Sequence, residues 1–203
     1  MHYFRDRVVL VAAWLTIAMV CSACNQPPAA PPVASSEAPP VAAQTAEERG
    51  RSLVTVGGCH DCHTPKKPGP RGPEPDMTRM LSGHPENEKI TVPYKPGADA
   101  TWAVATNDIF TAWSGPWGVS FTANLTPDTN TGLRSGVWTE ALFIQALRTG
   151  KHMGTSRDIL PPMPWFNYAQ LSDDDLKAIW VYLGTIPAIN NHVPDPIPPG
   201  TAP

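Results

Sequence analysis

The sequence predicts a mainly α fold, a single helical domain interrupted by a long proline- and glycine-rich loop insertion. Three observations carry this. Apolar residues recur at helical spacing between capping residues in three places, 45–58, 139–150 and 172–184. Between the first and second of these, residues 64–125 hold many turn residues and few periodic runs. The length of 203 residues suits one domain with a sizeable core and is short for two.

The chain opens with "MHYFRDRVVLVAAWLTIAMVCSAC", in which Arg5 and Arg7 precede thirteen residues, Val8 to Val20, with Thr16 alone polar among them. This is the layout of an export signal over residues 1–24. As a helix the run reaches roughly 20 Å at ~1.5 Å per residue, short of the ~30 Å hydrocarbon core, which disfavours a transmembrane anchor. Ser22 and Ala23 before Cys24 resemble a bacterial lipobox, which leads to acylation of the cysteine, although Cys21 stands where that pattern prefers an aliphatic residue. A periplasmic protein tethered through a lipid on Cys24 is the expectation; a free periplasmic form and an uncleaved anchor are the alternatives. Residues 25–44 are almost wholly Pro, Ala and Ser, with no apolar face, and read as a disordered tether kept extended by its prolines.

Order is expected from Thr45, which with Glu48 forms a capping box; Leu53 and Val54 supply apolar positions, and Gly57 and Gly58 stop the helix before Cys59. The stretches "PKKPGPRGPEPDM", "SGHPENEK", "VPYKPGAD" and "AWSGPWG" then leave room only for short helices or strands. A loop region this long in a compact domain suggests that it wraps something, and a large flat cofactor suits that role. Tyr94, Trp102, Phe110, Trp113, Trp117 and Phe121 either pack on such a group or form ordinary core. In "WTEALFIQALRTG", Thr139 is the N-cap, Leu142, Phe143, Ala146 and Leu147 share a face, and Gly150 ends the helix. In "LSDDDLKAIWVYLGTIP", Ser172 caps, three aspartates favour the positive helix start, and Leu176, Ile179, Trp180 and Leu183 form the stripe. Residues 188–203 read as an extended tail.

A net charge of -3 with mixed acids and bases lacks the basic footprint of nucleic-acid binding. Of the four cysteines, Cys21 and Cys24 belong to the leader, which leaves Cys59 and Cys62 in "GGCHDCHTP". A redox thiol pair needs its CxxC at a helix start after a strand, whereas here a helix precedes and prolines follow. Zinc needs four ligands, and with one cysteine pair it would have to recruit His60 or His63 and a distant histidine. The haem reading uses every part of CxxCH: each thiol adds to a haem vinyl group, and His63 becomes an axial ligand of the iron. It also agrees with export.

The sixth iron position decides between electron carrier and enzyme. Past the leader the methionines are Met77, Met80, Met153 and Met163, and the histidines outside the motif are His84, His152 and His192. In "LPPMPWFNY", Met163 is bracketed by Pro161, Pro162 and Pro164, whose fixed φ angles stiffen the loop that would present its thioether. Met153 and His152 in "GKHMG" are the next candidates, and ordinary core packing is the competing role for Met163. A His/Met low-spin iron has no vacant position, and its thioether raises the reduction potential, which suits one-electron relay. A haem enzyme or gas sensor with a displaceable sixth ligand is the alternative. A backbone carbonyl of Pro65, Pro68 or Pro70 is expected to accept the proton on the far nitrogen of His63. Lys66 and Lys67 are expected either to steer an acidic partner or to be a solvated loop. Trp165 and Tyr168 either meet a haem propionate or are buried as core.

"CHDCH", "TANLTPDTNTGLRSGVWTEALFIQALRTGKHMG" and "LPPMPWFNYAQLSDDDLKAIWVYLGTIP" together resemble the class I cytochrome c domains of bacterial membrane-bound dehydrogenase cytochrome subunits, over about residues 45–187. The resemblance implies a class I cytochrome c fold with a long Pro/Gly-rich loop insertion between the CxxCH helix and the Met-ligand loop. It implies one covalent haem c bound by Cys59, Cys62, His63 and Met163, with His63 and Met163 on the iron. It further implies an electron-transfer protein rather than an enzyme, exchanging electrons with a redox partner such as a dehydrogenase or terminal oxidase. Those subunits carry several CxxCH motifs and this sequence has one. The hundred residues from His63 to Met163 also exceed the spacing in small class I cytochromes.

Overall fold

The computed structural model describes residues 43–90 and 103–200; the leader, the tether up to residue 42, Tyr94 and Trp102 lie outside them. Helix α1 (Ala46–Val56) starts at the expected capping box, with Thr45 Oγ1 accepting from Glu48 N and the Glu48 carboxylate accepting from Thr45 N at 2.9 Å. Helix α2 (Cys59–His63) is a single short turn of CHDCH, entered through Gly58 at φ 67°. Then come the hairpin β1 (Lys66–Gly69) and β2 (Gly72–Pro75), and an antiparallel sheet of β3 (Ala105–Thr106), β4 (Ala112–Gly115) and β5 (Gly118–Phe121) in that order. Helices α3 (Glu140–Thr149), α4 (Trp165–Tyr168) and α5 (Asp173–Leu183) complete the elements, with Thr139 and Ser172 capping α3 and α5.

The stripe on α5 makes the core. Leu176, Ile179, Trp180 and Leu183 pack with Val54 of α1, Phe143 and Leu147 of α3, and Leu81. The Phe143 and Trp180 rings lie 5.5 Å apart and tilted, a favourable aromatic arrangement. Helices α1 and α5 touch closely because Gly50 has no side chain: a Cβ there would stand 2.0 Å from Ala178 O. Arg49 Nε donates to Asp175 Oδ1 at 2.8 Å across the same contact.

The segment after residue 187 is extended and lies against the domain. Val119 and Ile197 exchange backbone hydrogen bonds, and Asn191 is 1 % exposed. Its Nδ2 donates to Ser82 O (2.7 Å) and His84 O (2.8 Å), and its Oδ1 accepts from Glu86 N at 3.0 Å. No helix among the described residues is long and apolar enough to cross a membrane.

Candidate functional site

The site is built around α2. Gly57 closes α1 by donating to Leu53 O at 2.8 Å, and the left-handed turn at Gly58 brings the chain directly into Cys59. Cys59 and Cys62 are unpaired thiols. Burial pushes the Cys59 thiol up to about 11, and burial followed by the Asp61 charge raises that of Cys62. Both shifts disfavour the thiolate that disulfide exchange requires. Among the described residues no group of three or more His, Cys, Asp or Glu side chains converges as a metal ligand set.

His63 is buried, and burial is the main cause of its lowered pKa. A neutral ring donates from one nitrogen, and here Nδ1 lies 2.8 Å from Ala123 O. Nε2 makes no hydrogen bond with the described residues and keeps its lone pair free. That is the state in which imidazole ligates a metal, its other nitrogen oriented by a carbonyl.

The carbonyl is a correction to the sequence reading, which places it on Pro65, Pro68 or Pro70. Pro65 O already accepts from Asp76 N at 2.8 Å, and Pro68 lies in a hairpin register opposite Pro73. Ala123 reaches His63 because two distant segments run alongside each other there. Gly83 N donates to His63 O, His84 N to Thr122 O and Leu125 N to Leu81 O, each at 2.9 Å. A Cβ on Gly83 would stand 2.4 Å from Thr122 O, so only glycine allows this approach. The partner lies in "TANLTP", part of the stretch that carries the family resemblance; nothing in its local pattern marks the contact.

Met163 is half-buried and packs against the helical core, as do Cys59, Met80, Leu125 and Tyr168. Its loop is held from three directions. Ser120 Oγ donates to Pro161 O at 2.6 Å, Trp165 N donates to Met163 O at 2.9 Å, and Tyr168 Oη donates to Gly57 O at 2.5 Å. The last bond ties the loop to the residue two before Cys59; burial and then the nearby Cys59 and Cys62 raise the Tyr168 phenol to about 12. This hydroxyl donates to Gly57 O, which makes Tyr168 a strut between the loop and the end of α1. Trp165 packs its ring over Gly150, where a Cβ would lie 2.3 Å away.

The competing candidates sit differently. Met153 occupies a left-handed φ of 54° in the 3₁₀ turn His152–Gly154 and is not among the side chains packed on the core. His152 stands edge-on to Trp138 at 5.2 Å. Lys66 Nζ donates to His60 O at 2.9 Å, and Lys67 Nζ lies 3.7 Å from Asp76, so both ammonium groups have partners within the chain.

Two unpaired thiols three positions apart, followed by a buried imidazole with a free Nε2, are the donor set that CxxCH offers to a haem. Relatives agree. Over 83 residues, 39 % of this chain, the sequence is 36 % identical to the cytochrome c subunit of a quinone alcohol dehydrogenase from Gluconobacter oxydans. The chain is similar to the cytochrome subunits of membrane-bound dehydrogenases. The likeness to the fructose dehydrogenase cytochrome subunit of Gluconobacter japonicus is 26 % over 187 residues, 91 % of this chain. That to a nicotinate dehydrogenase component of Pseudomonas putida is 25 % over 147 residues, 72 % of this chain. The chain spans only 17 %, 29 % and 9 % of the lengths of these three relatives. No protein-family model matches it.

Proposed function

We propose that the chain is a mono-haem c-type cytochrome of class I fold that relays single electrons between exported redox partners, a dehydrogenase foremost. Cys59 and Cys62 would bond one haem c, and His63 and Met163 would hold its iron. The observation that carries this reading is the buried His63, with Nδ1 held 2.8 Å from Ala123 O and Nε2 without a hydrogen bond to the described residues, beside two unpaired thiols on one helical turn. When bound, the haem supplies a ferric/ferrous couple. Cys59 and Cys62 would supply the two thiols for its thioether bonds. Ala123 O holds the His63 ring in orientation and raises its basicity. The 161–168 loop, fixed by Ser120, Trp165 N and Tyr168, keeps the Met163 thioether in one place. The dehydrogenase partner follows from what the relatives are named for. A lipid on Cys24 and the proline-rich tether would keep the domain near a periplasmic membrane surface.

The test is made on protein produced alongside a haem-maturation system. The polypeptide should weigh one haem more than its amino acids and any lipid, and the colour should stay with it through acid-acetone extraction. The reduced protein should bind carbon monoxide slowly or incompletely at neutral pH. Colourless protein overturns the reading; fast and complete carbon monoxide binding replaces it with a haem enzyme or gas sensor.

A further inference from the structure

The Met163 loop is poor in backbone donors, because Pro161, Pro162 and Pro164 carry no N–H. Trp165 N on Met163 O and Asn167 N on Pro164 O, each at 2.9 Å, stay within the loop. Bonds from other elements reach it at Ile159, whose N donates to Gly150 O at 2.8 Å, at Tyr168, and at Pro161 through Ser120. The Ser120 bond is the nearest of these to Met163 in sequence. Ser120 is 8 % exposed, and a hydroxyl is costly to bury there unless it is hydrogen-bonded. Its one proton goes to Pro161 O at 2.6 Å, since the other acceptor in reach, Trp113 O, is 3.4 Å away. The strand that carries it is held on both edges. On one side β4 pairs with β5, Trp113 standing opposite Ser120, and on the other Val119 and Ile197 exchange backbone bonds at 2.8 and 2.9 Å. Gly118, at φ 94°, makes room for Ile197 O, which a Cβ would approach to 2.0 Å. The hydroxyl therefore sits on a platform built by the insertion and the C-terminal segment together.

A thioether is an uncharged ligand, so how readily Met163 would leave an iron depends on how firmly its loop is supported. We propose that Ser120 is a positioning residue for Met163: its hydroxyl clamps Pro161 O and so keeps the sixth iron position closed to small molecules. This rests on the haem reading above and deepens it. The insertion then bears on whether the chain carries electrons or admits a gas, through one hydroxyl and one carbonyl.

The test uses the holoprotein and compares Ser120→Thr with Ser120→Val. Threonine keeps the hydroxyl and valine puts a methyl group of nearly the same shape in its place, so changes of packing are common to both and only the bond differs. Carbon monoxide should bind the reduced valine variant faster than the threonine variant by about three- to tenfold, the effect of losing one neutral hydrogen bond. In the ferric proteins, imidazole should abolish the sulfur-to-iron charge-transfer band of the valine variant at a concentration lower by the same factor. Should the valine variant fail to accumulate with haem, proton NMR of the reduced wild type decides: a Ser120 hydroxyl resonance that exchanges slowly enough to be seen supports the clamp, and its absence overturns it. Equal carbon monoxide rates in the two variants overturn the inference and leave the haem reading in place. A wild type without haem, or one that binds carbon monoxide fast and completely, overturns that reading and the inference with it.

Discussion

At the scale of single residues, the two axial candidates differ in how they are held, and the difference sets what their replacement does. His63 is fixed by its own side-chain bond to Ala123 O, whereas Met163 has no polar handle and depends on the loop around it. Met163→Ala should therefore leave the fold intact, open the iron to carbon monoxide, and lower the reduction potential by on the order of 0.1 V, within the ~0.8 V range that axial ligation spans. A native absorption spectrum in that variant would move the assignment to Met153 or His152. A second prediction concerns His84, which is completely buried. Its Nδ1 lies 2.9 Å from Thr111 Oγ1 and its Nε2 2.7 Å from Glu88 O. Burial chiefly, with Arg79 adding to it and the Glu88 contacts opposing, lowers its pKa. The unfolded chain then takes up a proton near pH ~6.5 that the folded one refuses, so stability is full above that value and falls as pH drops through the folded pKa. In urea titrations between about pH 7.5 and 5, His84→Gln should show a shallower loss than the wild type; an identical slope would remove His84 from the account. Cys59, Cys62 and His63 were legible as a set because the motif is local. The Ala123 carbonyl was not, since it lies sixty positions away and any residue type offers a carbonyl.

At the scale of elements, the helices were legible because their signals are local: a cap, a stripe of period 3.6 and a terminating glycine. Thr45, Thr139 and Ser172 all act as the caps expected of them. The strands were not, since their residues, such as KKPG against GPEP, are poor strand formers and hold their register through pairing alone. A glycine inside α1 also reads locally as a weakness, although it is what lets α1 approach α5. Gly50→Ala places a methyl group 2.0 Å from Ala178 O and 2.7 Å from Tyr182 Cβ. Helix propensity alone would favour alanine by ~1 kcal/mol. Overpacking against backbone should reverse that sign, for a net loss of about 2 kcal/mol in chemical denaturation. A variant that gains stability would mean that the two helices separate at little cost.

At the scale of the whole molecule, the described part of the insertion and the C-terminal segment are held together by side chains far apart in sequence. Asn124 Nδ2 donates to Ile189 O at 2.9 Å, Thr131 Oγ1 accepts from Asn191 N at 2.9 Å, and Asn191 spans back to residues 82–86. "NNHVPDP" has no apolar period, and a polar residue buried by distant partners leaves no mark on its neighbours, which is why residues after 187 read as a tail. Asn191 instead makes three hydrogen bonds, two of them buried, to the segment whose Gly83 and His84 flank the His63–Ala123 contact. Asn191→Ala would leave two buried carbonyls and one N–H without partners, each loss costing ~1–3 kcal/mol and the sum less than additive. The expected loss is about 3 kcal/mol in urea denaturation, accompanied by faster proteolytic cleavage in the 82–90 region. Asn191→Asp, which keeps the acceptor for Glu86 N and loses both donors, should be at least as damaging, because it brings a carboxylate against the carbonyls of Ser82 and His84. If both variants unfold at the wild-type midpoint, the C-terminal segment rests on the domain without supporting it.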